Sequence, residues 1–206
     1  GVDELIFLDI YATKQSRKIN LSLVKEVIKE CYMPVSIGGG VQTINEINDL
    51  LKIGADKVVI KTKALTDKKF LEEAVNFFGS QCICISADVL FINNNYLIHN
   101  DLGLKIPLEE FIIEMSSINV GEFLINSVDN DGVMNGFDID LINKVEKITT
   151  IPIVAAGGGG KPEHYSTLFN KTKINAVASS SIFHFTQYTP LDIKNELKKF
   201  NFPIRT

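Results

Sequence analysis

The sequence predicts an α/β fold, specifically a (βα)8 TIM-type barrel with half-barrel duplication, in one domain spanning residues 1–206. Short apolar runs alternate with helical patterns along the chain, and one motif occurs twice. Strict alternation of strands and helices predicts a parallel sheet with crossover helices. The strands are apolar throughout rather than alternating, which is typical of parallel strands covered on both faces.

The elements follow one another in order. Strands are predicted at residues 5–9, 35–37, 57–60, 81–88, 122–127, 153–156 and 176–179. Helices are predicted at residues 21–30, 44–52, 68–78, 108–117, 139–148, 163–170 and 191–200. The first helix is predicted from its apolar periodicity, because one face of it would carry Leu21, Val24, Val27 and Ile28. Three consecutive asparagines at 93–95 predict a hairpin turn within the segment 90–104.

The doubled motif reads PVSIGGG at residues 34–40 and PIVAAGGG at residues 152–159. Its prolines are 118 residues apart, and Asp9 and Asp129, which we interpret as repeat-related, are 120 apart. Solenoid repeats have periods of about 20–50 residues, so this spacing indicates a duplicated half-domain. By symmetry, a strand–helix unit equivalent to residues 81–118 should precede residue 1. We therefore expect the first βα unit of the barrel to be absent from this chain.

Composition excludes several classes of function. The net charge of −4 gives no reason to expect a nucleic-acid partner, and no apolar run approaches the roughly 20 residues of a membrane span. Three cysteines do not form a disulfide framework, so we predict a cytosolic protein in which Cys82 and Cys84 are buried thiols on a strand. The three histidines lack metal-ligand spacing, and neither a metal nor a cofactor is predicted.

Four aspartates stand at predicted strand ends, where barrels of this type place their reacting groups. They are Asp9, Asp88, Asp129 and, just beyond, Asp131. A strand-end aspartate can simply cap the following loop or helix. Carboxylates gathered around one rim can instead divide acid and base roles, because proximity and burial separate their pKa values. Both interpretations stay open for each residue.

Glycine clusters at residues 38–40 and 157–160 follow strands and precede helices. Glycine amides can approach a phosphate closely, and a helix N-terminus adds favourable potential, although tight turns explain such clusters equally well. Small polar residues, Thr62 in one half and Ser179–Ser181 in the other, end the next strand along. The two sets together predict a substrate that carries phosphate at both ends.

A set of charged residues begins three strands at the opposite ends from the aspartates. They are Glu4, Lys57 and Glu122. They are either solvated surface charges or a ring of opposite charges that closes the bottom of the barrel.

Six segments together resemble one family over the whole chain. They are DELIFLDI at 3–10, GGGV at 38–41, GADKV at 54–58, SVDNDG at 127–132, AGGGGK at 156–161 and SIFHF at 181–185. The sequence resembles the cyclase subunit of imidazole glycerol phosphate synthase, a HisF-like family of duplicated (βα)8 barrels. The resemblance implies a lyase of histidine biosynthesis that uses ammonia from a glutaminase partner. Its bis-phosphorylated substrate is a phosphoribulosyl-formimino aminoimidazole carboxamide ribonucleotide, converted to imidazole glycerol phosphate and AICAR.

The resemblance also implies residue roles. Asp88 matches one of two acid–base aspartates, and the other would lie in the unit expected to be absent. One phosphate side would be formed by Asp131, Gly132, Gly158, Ser180 and Ser181, and the other by Gly40 and Thr62. Glu4, Lys57 and Glu122 match an ammonia gate at the barrel floor. The glutaminase (HisH-like) would bind the N-terminal barrel face, where Asp56 matches an interface position.

Three positions depart from the usual pattern of the family. Leu90, Lys61 and Asn126 replace a lysine, an asparagine and a threonine, and Asn126 is kept among the substrate-binding candidates. The segment NSVDNDG at residues 126–132 resembles the corresponding segment of homologues associated with surface-polysaccharide genes. Alternatives therefore remain: a HisF-like ammonia-channelling subunit that amidates a surface-polysaccharide sugar, a non-catalytic glutaminase partner, or, fitting less well, a phosphoribosyl isomerase.

Overall fold

The computed structural model describes residues 1–15 and 17–205; Thr206, the last residue of the predicted domain, lies outside the described residues. Strands are β1 (Leu5–Leu8), β2 (Val35–Gly38), β3 (Lys57–Ile60), β4 (Ile83–Ile92), β5 (Asn95–Ile98), β6 (Ile106–Pro107), β7 (Glu122–Ser127), β8 (Ile153–Ala156) and β9 (Ala176–Val177). Helices are α1 (Leu21–Lys29), α2 (Ile44–Lys52), α3 (Lys68–Phe78), α4 (Leu108–Ser117), α5 (Ile139–Glu146), α6 (Pro162–Lys171), α7 (Ser181–Phe185) and α8 (Pro190–Lys198). Thr62–Leu65 and Ser80–Cys82 are 3-10 helices.

The chain divides into two compact units. Residues 3–86 and 117–122 form the N-terminal unit, and the C-terminal unit contains residues 1–2, 87–116 and those from 123 onward. In the N-terminal unit, β1, β2, β3 and the start of β4 pair in parallel in that order. In the C-terminal unit, β7, β8 and β9 pair in parallel, and the end of β4 forms an antiparallel hairpin with β5. Parallel strands joined by helices confirm the predicted α/β fold of TIM-barrel type, whereas the single-domain organisation stays a prediction.

Helix α2 illustrates how local sequence sets the elements. The Thr43 hydroxyl accepts a hydrogen bond from the amide of Glu46, and the Glu46 carboxylate accepts one from the amide of Thr43. This capping box satisfies two amides that a helix start leaves unpaired, and such a cap stabilises a helix by about 1 kcal/mol. On the inner face, Ile47 and Leu50 are fully buried. The helix therefore starts at a sequence signal and is held by its apolar stripe.

Equivalent backbone hydrogen bonds mark the internal repeat. The amide of Leu5 donates to the carbonyl of Pro34, and the amide of Phe123 donates to the carbonyl of Pro152, each at 2.9 Å. The register of β1 on β2 is that of β7 on β8 at a spacing of 118 residues. The duplication read from the sequence is thus present in the strand pairing.

This register corrects one interpretation from the sequence. At a spacing of 118, Asp9 corresponds to Ser127, so the interpretation of Asp9 and Asp129 as a repeat-related pair is wrong. Asp129 lies two residues further on, in the loop after β7. Asp129 is therefore a residue of this loop and has no counterpart in Asp9 through the duplication.

The strand predicted at 81–88 differs at both ends from the observed strand β4. It begins at Ile83 because Ser80–Cys82 forms a 3-10 turn, which leaves Cys82 half-buried outside the strand while Cys84 is buried on it. It continues to Ile92 because the chain turns back directly into β5. Asn93 and Asn94 have φ angles of 49° and 63°, as a two-residue hairpin turn of type I′ requires, so the predicted hairpin is confirmed. No helix in the described residues is long and apolar enough to cross a bilayer.

Candidate functional site

Asp88 and Asn126 are brought together in the C-terminal unit. Asp88 lies on β4 and Asn126 on β7, and Asn126 Nδ2 donates a hydrogen bond to Asp88 Oδ1 at 3.3 Å. The strands run beside each other here, since the amide of Val128 donates to the carbonyl of Val89. Because Asp88 Oδ1 is the acceptor, the NH2 group of the Asn126 amide faces the carboxylate. Both residues were predicted for the site, but their contact was not.

Gly157 leaves room for this arrangement. Its φ is +83°, and a Cβ added there would lie 2.8 Å from Asn126 Oδ1 and 2.5 Å from the carbonyl oxygen of Ser127. Both distances are too short for a side chain. The amide of Asn126 is therefore confined between the glycine backbone on one side and Asp88 on the other.

Asp129 has a different partner. Its Oδ2 accepts a hydrogen bond from the backbone amide of Phe91 at 2.8 Å. Phe91 lies opposite Tyr96 in the hairpin, and its amide is directed at Asp129 instead of at β5. The bond gives this outward-facing amide of the hairpin a carboxylate acceptor. Asp129 thus stabilises the hairpin, which favours the capping interpretation for this residue.

Asp9 is also engaged in a loop. Asp9 Oδ1 accepts hydrogen bonds from the amides of Tyr11 and Ala12, and Arg17 Nη2 donates to the same oxygen at 2.8 Å. The hydrogen bond from Arg17 is the main cause that lowers the pKa of Asp9 below its ordinary value. Asp9 therefore caps the loop that follows β1.

The loop after β7, residues 128–138, is bonded to the second glycine cluster. The amide of Gly136 donates to the carbonyl of Gly158 at 2.8 Å, and Asn130 Nδ2 donates to the carbonyl of Gly136 at 3.1 Å. A Cβ on Gly158, whose φ is +113°, would lie 2.1 Å from the oxygen of Gly136. Close backbone approach thus requires glycine here. Asp131 and Gly132 are exposed on this loop.

The serines after β9 differ in their surroundings. The hydroxyl of buried Tyr165 donates to Ser179 Oγ at 2.7 Å, and a Cβ on Gly159 would lie 2.9 Å from that oxygen. Ser179 is therefore held by the core next to the glycine cluster. Ser180 is exposed and Ser181 begins the short helix α7, which the sequence did not predict.

His164 is a residue of this region that sequence reasoning missed. Its Nδ1 accepts a hydrogen bond from the amide of Gly160 at 3.3 Å. Burial lowers the pKa of His164 and favours the neutral ring that can accept such a bond. The available signal is the histidine four residues after the last glycine of AGGGGK, a spacing that does not point to a metal ligand.

Gly40 and Thr62 lie in the N-terminal unit. They follow β2 and β3, which pair in parallel with Gly38 opposite Val59, so the two strand ends lie side by side. Gly40 has a φ of +67°, and a Cβ there would lie 2.9 Å from the Cβ of Ala12. Thr62 begins a 3-10 helix. This pair belongs to a different unit from Gly158, and a two-ended phosphate site stays a prediction.

The three strand-start charges form one cluster in the N-terminal unit. Lys57 Nζ lies 2.7 Å from Glu122 Oε2 and 3.3 Å from Glu4 Oε2. Burial acts to lower the pKa of Lys57, but the hydrogen bond to Glu122 and the two negative charges outweigh it and raise the pKa. The expected cluster of opposite charges is present. Its role as a gate stays a prediction.

Asp56, the predicted interface residue, has a structural partner. Its Oδ2 accepts a hydrogen bond from the amide of Val35 at 2.8 Å, and its own amide donates to the carbonyl of Val35. The side chain therefore secures the start of β2.

Comparison with known proteins gives one consistent result. The family model described as histidine biosynthesis protein matches residues 1–189. Relatives named imidazole glycerol phosphate synthase subunit HisF include one from Staphylococcus saprophyticus, 37% identical over 210 residues, covering 100% of this chain and 83% of the relative. Others are from Clostridium botulinum, 34% identical with 100% and 83% coverage, and from Thermococcus onnurineus, 36% identical with 100% and 82% coverage. Given this agreement with the duplicated parallel fold and the glycine-bonded loops, the chain belongs to the histidine biosynthesis protein family.

Proposed function

We propose that this protein is the cyclase subunit of an imidazole glycerol phosphate synthase, a lyase of histidine biosynthesis. The observation that carries the proposal is the Asp88–Asn126 pair on β4 and β7. It lies in the unit whose exposed loop, with Asp131 and Gly132, is bonded to the glycine cluster at Gly158. The carboxylate and the loop to which we assign proton transfer and phosphate binding thus belong to one compact unit, which supports the proposal. The names of the relatives support the same reaction.

In this proposal, Asp88 transfers a proton at the carbon chain of the substrate as ammonia is incorporated. One phosphate is bound in the cradle formed by Asp131, Gly132, Gly158, Ser180 and Ser181, where the amides of the two glycines and the hydroxyls of the two serines supply the donors. The other phosphate is bound by Gly40 and Thr62. Fixing both ends orients the reacting atoms, and such orientation accounts for much of the rate gain in reactions of this kind.

The partner and the source of ammonia belong to the same proposal. The relatives are named as subunits, which supports a complex with a second protein. We propose that the second protein is a glutaminase that binds at the N-terminal face of the strands, and that the complex is cytoplasmic. The Glu4–Lys57–Glu122 cluster stands at the start of its strands and would control the passage of ammonia.

A second candidate is favoured by one observation. Leu90, two residues after Asp88, lies opposite Leu97 in the hairpin, so an apolar pair stands where a cation is usual in the family. This favours an acceptor that needs less positive charge beside Asp88, such as a sugar in surface-polysaccharide assembly. The fold and the use of ammonia are the same for both candidates.

Two experiments test the proposal. Expression of the protein from its whole reading frame in a histidine auxotroph that lacks the cyclase should restore growth. In vitro, Asp88→Asn should lower ammonia-dependent turnover at least about 100-fold, the usual contribution of a general acid or base, with substrate affinity within a few-fold. Asp101→Asn, in an exposed turn of the same unit, is the matched control and should keep full activity.

The other outcomes separate the alternatives. If the folded protein does not restore growth but consumes ammonia with a sugar acceptor, the polysaccharide role is favoured. Stimulation of a glutaminase without any cyclase turnover would indicate a non-catalytic partner. Full activity of the Asp88→Asn variant would remove Asp88 from the mechanism.

A further inference from the structure

The hairpin that continues from β4 contacts both ends of the loop after β7. At one end, the amide of Phe91 donates to Asp129 Oδ2 at 2.8 Å. At the other end, the hydroxyl of Tyr96 donates to the carboxylate of Asp138, 3.1 Å from Oδ1 and 3.2 Å from Oδ2. Phe91 and Tyr96 face each other across the hairpin with ring centroids 4.8 Å apart. One hairpin therefore contacts both ends of the segment 129–138.

Asp138 connects this contact to a helix. Its Oδ1 also accepts a hydrogen bond from the amide of Leu141 and so caps the N-terminus of α5. Burial of Tyr96, followed by the charge of Asp138, raises the pKa of the tyrosine, so its hydroxyl keeps the proton that it donates. The contact therefore persists throughout the neutral pH range.

Further groups hold Tyr96 in place. Lys144 of α5 lies with its Nζ 5.8 Å from the centre of the Tyr96 ring and 2.6 Å from Glu109 Oε1 of α4. A cation over an aromatic face is attracted to the ring and stabilises its orientation. The tyrosine is thus fixed by its neighbour in the hairpin, by α5 and, through Lys144, by α4.

The loop between the two contacts carries the phosphate candidates. It is folded on itself, with the amides of Asn130 and Asp131 donating to the carbonyl of Ser127. Its Gly136 amide donates to the carbonyl of Gly158. A displacement of either loop end would therefore move Asp131 and Gly132 relative to the glycine cluster.

We propose that Tyr96 is a positioning residue that, through Asp138, holds the loop 129–138 in the conformation that presents Asp131 and Gly132 to a phosphate of the substrate. The residue touches no reacting atom and acts only by ordering the cradle before substrate arrives. The proposal deepens the proposed function and rests on it for the identity of the ligand.

The test compares Tyr96→Phe with Tyr32→Phe in the full chain. The first change removes only the hydroxyl and keeps the ring contacts with Phe91 and Lys144. Tyr32 is 98% exposed, so its variant is a matched control for the loss of a tyrosine hydroxyl. Amide hydrogen exchange is measured across residues 129–138, and KM and kcat are measured with the bis-phosphorylated substrate.

For Tyr96→Phe we expect faster exchange at the amides of Asn130, Asp131, Val133 and Gly136, which are hydrogen-bonded in the folded loop. We expect KM to rise about three- to tenfold while kcat changes less than twofold, as for loss of preorganised binding. Exchange elsewhere in the chain should stay at its original rate. The Tyr32 control should match the unaltered protein in every readout.

A second variant isolates the pair. Asp138→Asn keeps an acceptor for the helix cap and for Tyr96, so alone it should raise KM less than Tyr96→Phe does. The double variant should be no worse than Tyr96→Phe, because coupled residues do not add. Unchanged loop exchange in Tyr96→Phe overturns the proposal whatever the activity. Absence of cyclase turnover in the unaltered protein would contradict the proposed function instead, and loop exchange would still decide the role of Tyr96.

Discussion

Asn126 Nδ2 lies 3.3 Å from Asp88 Oδ1, although 38 residues separate the two in the sequence. The backbone of Gly157 closes the other side of the Asn126 amide. Asn126 therefore orients the carboxylate that we propose as the proton-transfer group. This gives Asn126 a role besides that of a substrate-binding residue.

The first prediction follows from this contact. Asn126→Ala should lower kcat by about tenfold or more, because a misoriented catalytic group costs that much, while KM changes less than about threefold. Asn76→Ala, at an exposed position on α3, is the control. Steady-state kinetics with ammonia gives both constants. An increase in KM at constant kcat would instead assign Asn126 to ground-state substrate binding.

The second prediction concerns the charge cluster. Lys57→Met leaves Glu4 and Glu122 without their shared cation, and we expect a loss of about 1–2 kcal/mol in the free energy of unfolding. If the cluster controls ammonia passage, turnover with glutamine and the partner should fall more than turnover with free ammonia. Lys52→Met, at an exposed position at the end of α2, is the control. An unchanged ratio of the two turnover rates would remove the gate role.

The third prediction concerns pH. Arg17 holds the pKa of Asp9 below its ordinary value of 3.8, so the ionised carboxylate stabilises the folded state at neutral pH. A lowered folded pKa means that this stabilisation is present above the unfolded pKa and is lost as pH falls through the folded value. Urea unfolding should show Asp9→Asn less stable than the parent at pH 7, with the difference shrinking below about pH 4. A constant difference down to pH 2 would contradict the role of the Arg17 pair.

The fourth prediction separates backbone strain from steric clash. Gly157 and Gly103 both have positive φ, but a Cβ on Gly157 would meet the oxygen of Ser127 at 2.5 Å, whereas nothing lies within 4 Å of one on Gly103. Gly103→Ala should cost about 1 kcal/mol from conformation alone, and Gly157→Ala clearly more, above about 2 kcal/mol. Chemical denaturation measures both. Equal costs would show that the contact relaxes and that Asn126 is not confined there.

Much of the fold could be predicted because the strands are apolar runs of a characteristic length. The helix α2 was predicted with its observed bounds, since its stripe and its cap are both local signals. The 3-10 turn at Cys82 and the short helix α7 were missed because neither carries a periodic pattern. The hairpin was predicted, since successive asparagines tolerate the positive φ that its turn needs.

The candidate site was predicted only as a set of residues. Asp9 and Asp129 looked like Asp88 in the sequence, because all three stand at or just after strand ends. Their partners, Arg17 for Asp9 and the Phe91 amide for Asp129, became apparent only from the packing. Tyr96 gave no signal, since a single tyrosine in a hairpin is ordinary.

The sequence by itself determined the α/β class, the duplicated glycine motif and the residue types available at the strand ends. These follow from local periodicity and from the conformations that glycine and asparagine allow. Tertiary structure alone decided that the spacing of 118 residues, and not that of 120, matches Asp9 with Ser127. It also decided the contact of Asp88 with Asn126 and the attachment of Tyr96 to Asp138. The physical reason is that strand pairing and side-chain hydrogen bonds join residues far apart in the chain. Several carboxylates look alike in the sequence, and which of them accepts a given hydrogen bond depends on the packing of the folded chain.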